Sequence, residues 1–118
     1  MVLGNNAANT SLYDSVSNTF TAGPAIVGTG GNLAQQGSHS IQRPDGKFLV
    51  VLGNTTANTS LYDPVSNTFT AGPAIVGTAG NVALYSSHSI QRPDGKFLVI
   101  LVGKNANTTL YDPVSNTF

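Results

Sequence analysis

The sequence predicts an all-β fold in which each 49-residue repeat forms one four-stranded antiparallel sheet. Three observations lead there. Residues 2–50 align with 51–99 without a gap, 41 of 49 letters match, and a partial third copy runs from Ile100 to Phe118. Within each copy the apolar residues come in short bursts, rich in β-branched and aromatic types, and none carries a helical period. Between the bursts stand Pro, Gly, Asp and Asn, the residues that tight turns require.

Along one copy the elements follow in order. Strand a lies near 36–42 and ends in "HSIQ"; "RPDG" (43–46) then supplies a hairpin turn, with Asp-Gly offering φ > 0. Strand b, near 47–52, is the run "KFLVVL", bounded by that turn and by Gly53. Strand c spans "TSLYD" (59–63), "PVSN" (64–67) turns the chain again, and strand d lies near 68–71. "PAIVGTAGN" (73–81) leads on to the next "HSIQ".

Four short strands joined by hairpins, repeating every ~40–50 residues, form the pattern of propeller blades. A parallel β-helix uses shorter coils, and an immunoglobulin-type sandwich would not repeat its sequence at this period. The expected organisation is a partial blade at 1–24 (strands b to d), a complete blade at 25–73, and a blade at 74–118 lacking most of strand d. Met1 takes the repeat position of Val50 and Val99, so the chain is expected to be a window on a longer array. Roughly 2.4 blades cannot close a ring of four to eight. Self-association is therefore expected, as a ring or a filament, with neighbouring copies completing the split blades.

"HSIQRPDGKFLVVLGN" followed by "TSLYDPVSNTFTAGP" resembles the kelch repeat in its galactose-oxidase-like form. Pro-Asp-Gly-Lys, Tyr-Asp-Pro and the closing aromatic occur in order, and the resemblance covers the whole chain. Two departures stand out: the usual diglycine is Leu52-Gly53 or Val102-Gly103, and the outer-strand Trp is Phe20, Phe69 or Phe118. The resemblance implies a propeller. It does not carry over the copper site, whose tyrosyl–cysteine cofactor needs a cysteine that this chain lacks.

Composition narrows the function. Charged residues make up 8% of the chain and the formal net charge is zero, so no basic surface recommends nucleic acid. No run reaches the ~20 apolar residues of a membrane helix. No catalytic constellation is evident: "GTGG" (28–31) lacks the Lys-Ser/Thr of a phosphate loop. His39 and His88 occupy one repeat position, with no local carboxylate, and are read as structural. Asp14, Asp63 and Asp112, with Asp45 and Asp94, are read as turn caps. Arg43, Lys47, Arg92 and Lys96 are expected only to solvate the turn edge. No metal or cofactor is expected.

The differences between copies cluster. Positions 6 and 7 fall in the b–c loop, and 30, 33 and 35–37 in the d–a connection, both at one end of the sheet. Gln35 and Gln36 against Leu84 and Tyr85 are the largest contrast, which makes these four the candidate ligand face. Asn9, Asn54, Asn58 and Asn107 open Asn-X-Ser/Thr sequons and are candidate N-glycosylation sites. The expected function is a non-enzymatic, extracellular structural or adhesive repeat module. The alternative is a glycan- or protein-binding propeller that uses the b–c and d–a face.

Overall fold

The computed structural model describes residues 2–3, 8–28, 34–53, 57–77, 86–101 and 107–118. Among them there is no helix, and the strands form three antiparallel sheets. The first sheet holds β1 (Val2–Leu3), β2 (Thr10–Asp14) and β3 (Thr19–Ala22), in that order. The middle sheet is a meander of β4 (His39–Gln42), β5 (Phe48–Val51), β6 (Thr59–Asp63) and β7 (Thr68–Ala71). The last sheet holds β8 (His88–Gln91), β9 (Phe97–Leu101) and β10 (Asn107–Tyr111), followed by one bridge between Asp112 and Thr117.

The middle sheet realises strands a to d with one difference. Strand a starts at His39 rather than near 36, because Ser38 fastens the preceding residues into a turn. Its Oγ accepts from the backbone N–H of Gln35 (2.9 Å) and of Gly53 (3.1 Å). Gly37 in that turn has φ +81°.

The two hairpin turns differ in how they reverse the chain. In "RPDGK" the Gly46 N–H donates to the Arg43 carbonyl (3.0 Å), and the Arg43 N–H donates to the Lys47 carbonyl (2.8 Å). Only Gly46, at φ +82°, is left-handed there, so the turn is type I with Pro44 leading and a glycine bulge closing it. In "DPVSN" the left-handed residue is Asn67 (φ 55°), as Asn18 and Asn116 are in the other sheets. Asp63 Oδ1 accepts from the Val65 N–H at 2.9 Å, which fixes the start of that turn.

Side chains alternate between two faces of each sheet. In the middle sheet Ile41, Leu49, Val51 and Leu61 point one way; Phe48, Val50, Tyr62 and Phe69 point the other. The first face packs against Phe97, Val99, Leu101 and Tyr111 of the last sheet. The second packs with Ile26 and Ala34 of the connector that arrives from the first sheet. Phe97, Val99 and Tyr111 are the 49-residue copies of Phe48, Val50 and Tyr62. The middle sheet therefore turns its Leu49-type face toward the Tyr62-type face of the last sheet, and Leu12 of the first sheet, the copy of Leu61, lies beside Phe48 and Tyr62 in the same sense.

Candidate functional site

The end bearing the b–c and d–a connections was the expected ligand face. Gly53 of the b–c loop lies against Gln36 and Gly37 of the d–a connection, so the two do emerge together. A Cβ at Gly53 would collide with the Gln36 carbonyl, which makes the close approach dependent on glycine. Gln36 is exposed and Gln35 half-buried. Leu84 and Tyr85, the other half of this candidate, lie outside the described residues, as does Asn54.

The remaining sequons are one repeat position met three times, and it is not equivalent in solvent. Asn9 is exposed, Asn58 is half-buried with its carbonyl accepting from the Leu52 N–H (3.0 Å), and Asn107 is buried within β10. Burial sets Asn107 against a role as glycan acceptor, which needs its amide in solvent. His39 and His88 each place Nδ1 near a carbonyl two residues back, of Gly37 (3.1 Å) and Ser86 (3.2 Å). The His39 ring is largely enclosed, with Nε2 unpartnered among the described residues. Burial, with the nearby His88 adding to it, holds the His39 imidazole below its ordinary range.

The basic residues do more than solvate a turn, which corrects the expectation for them. Lys47 Nζ reaches Asp63 Oδ2 (3.2 Å), and Lys96 reaches Asp112 in the same way (3.2 Å). Each lysine thus ties the b strand to the cap of the c–d turn. The Val65 N–H, then Lys47, holds the Asp63 carboxyl below the usual carboxylate range; the Val114 N–H and Lys96 do so for Asp112. Arg43 goes further: Nη2 pairs with Asp45 (3.2 Å) while Nη1 donates across to Asn116 Oδ1 of the last sheet (3.0 Å).

These contacts locate the built site of the molecule, and it is the junction between sheets. Its apolar centre is the stacked pair of faces described above, and its rim is polar. Ser60 Oγ donates to the Val27 carbonyl of the incoming connector (2.6 Å), and Thr109 Oγ1, its repeat copy, donates to that of Val76. Tyr62 and Phe69 rings meet at 4.9 Å between centroids, and Tyr62 OH donates to Asn67 Oδ1 (3.0 Å). Tyr111 repeats both contacts, with Phe118 (5.1 Å) and with Asn116 (2.8 Å). One asparagine thus turns the chain, anchors a tyrosine and, at Asn116, receives the neighbouring sheet's arginine. Sequence reasoning passed over Asn67 and Asn116. The constant five-residue interval from Tyr62 and Tyr111 was the available signal.

A groove of about 540 Å³ lies on the first sheet beside Ser11, Phe20, Ala22 and Gly23. Among the described residues no three His, Asp or Glu side chains converge as a metal site would need, and no helix is long and apolar enough to cross a membrane. The second point bears on helices alone. No family model and no curated protein matches the chain.

Proposed function

We propose that this chain is a non-enzymatic structural repeat module, of extracellular adhesive type, whose units are successive propeller-like blades. The observation that carries the reading is the set of contacts that recurs at its two junctions. Ile26 clusters with Val50, Leu52 and Tyr62 as Ile75, 49 residues on, does with Val99, Leu101 and Tyr111, and the Ser60–Val27 hydrogen bond recurs as Thr109–Val76. A surface built to stack on its own copy serves extension, because every added unit buries the face left open by the one before. The kelch-type resemblance supports blades in particular, since it covers the strands and both turns of each unit.

Chains carrying two, three and four complete units test this reading by calorimetry. Stability should climb with each unit, because each adds one junction. A melting temperature independent of unit number would remove it. The binding reading retains one favouring observation, the exposed Gln36 where two connections meet. A glycan and peptide array probed with the chain and with Gln36→Ala separates the two: signal lost in the variant favours recognition at that end.

A further inference from the structure

Among the described residues nothing covers two of the sheet faces, and these are the two halves of the junction already seen inside the chain. On the last sheet the open face carries Ile90, Leu98, Ile100 and Leu110, the copies of Ile41, Leu49, Val51 and Leu61. On the first sheet the open face carries Tyr13 and Phe20, the copies of Tyr62 and Phe69. Ile90 is 51% exposed where Ile41 is 2%, and Phe20 is 62% exposed where Phe69 is 7%. Exposed apolar side chains in such a continuous set mark a contact surface rather than ordinary scatter.

We infer that a second copy of this chain docks here head to tail, its Tyr13–Phe20 face on the Ile90–Leu110 face of the first. The inference deepens the stacking module proposed above and rests on it. Two further observations carry it. The open face is already in its docked form: Tyr13 and Phe20 meet at 5.0 Å, and Tyr13 OH donates to Asn18 Oδ1 at 2.8 Å, as in the covered sheets. The rim matches too. Arg43, with a side chain 10% exposed, reaches Asn116 across the internal junction; Arg92, 44% exposed, is its copy, and Asn18 is the copy of Asn116. In the docked pair Arg92 of one chain donates to Asn18 of the next.

Docking by faces also fits the strand inventory better than completion of a split sheet by edges. The first sheet holds strands b, c and d, and the last holds a, b and c. Joined edge to edge they would make six strands with b and c present twice, whereas stacked they repeat the internal arrangement. Because the two faces differ, the contact is heterologous and propagates into a ring or a fibre according to the rotation per unit.

Sedimentation velocity on three proteins decides. The unaltered chain should form species larger than a monomer at micromolar concentration. Phe20→Glu blocks one face and Ile90→Glu with Leu110→Glu blocks the other; each variant alone should be monomeric, with an unchanged circular dichroism spectrum. Mixed in equal amounts they should form a heterodimer and stop there, since each contributes its one open face. If the Glu variants lose their strand signal, Arg92→Glu at the exposed rim replaces them and should weaken assembly at least tenfold. A monomeric unaltered chain overturns the docking and leaves the stacking of linked units standing. Assembly that survives both blocked faces, or self-association of Phe20→Glu alone, overturns the head-to-tail contact.

Discussion

Leu49 in the middle sheet and Leu98 in the last sit in the same thirteen-residue phrase, yet one is fully buried and the other only partly so. The same contrast separates Ile41 from Ile90 and Tyr62 from Tyr13. Their local structure does not differ: register, turn φ values and ring spacing repeat from sheet to sheet. What differs is the neighbour. A strand's conformation is thus set within its own unit, while its contribution to stability depends on whether another sheet covers it.

The sharpest way to break that comparison is a matched pair of truncations. Leu49→Ala should destabilise by about 2–5 kcal/mol, through lost transfer energy and the cavity left behind. Leu98→Ala should cost less, about 1–2 kcal/mol, because part of its surface already meets solvent. Urea melts of the two monomeric variants, taken at low concentration, should show midpoints well apart; equal midpoints would mean that covering a face adds little.

A second pair should show the opposite, equality. Gly46 and Gly95 both have φ +82° and open space where a Cβ would go. Gly46→Val and Gly95→Val should each cost roughly 1–2 kcal/mol, a purely conformational penalty for a β-branched residue held left-handed. Thermal melts should fall by similar amounts in the two. A much larger loss at Gly46 would show that turn geometry, too, depends on stacking.

Removing the phenol tests the polar contact at each level of cover. Tyr62→Phe should lose about 1 kcal/mol with its partly buried bond to Asn67. Tyr13→Phe, whose bond to Asn18 is exposed, should stay within about 0.5 kcal/mol of the unaltered chain. Chemical denaturation resolves the two.

The smallest effect is one of pH. Burial holds the folded-state pKa of His39 below the ordinary 6.5, so the unfolded chain binds a proton first as pH drops. Stability from this site is therefore full above 6.5 and falls away as pH descends through the folded value. Melting temperatures between about pH 7 and pH 5 should show this decline. His39→Gln should flatten it, and His88→Gln, which leaves the His39 ring enclosed, should retain it.

Much of the architecture was legible from the letters. Short apolar bursts between turn residues placed β4 to β7, Pro-Asp-Gly marked a hairpin turn, and Asp63 announced a cap; all act within a few residues, where sequence and structure are closely linked. The candidate site was legible only in part. The b–c and d–a connections do meet at Gly53 and Gln36, but nothing in "RPDGK" says that Arg43 crosses to Asn116, 73 residues away.

By itself the sequence determined the repeat, the all-β class and the strand order within a unit, because short apolar runs and turn chemistry are local. Tertiary structure alone decided which face meets which, which copy of an identical residue is buried, and that the arginine of one sheet anchors to the asparagine of the next. Those outcomes depend on the rotation of one sheet over another. Identical letters cannot encode a difference in their own surroundings, so only the packed neighbours distinguish Phe69 from Phe20.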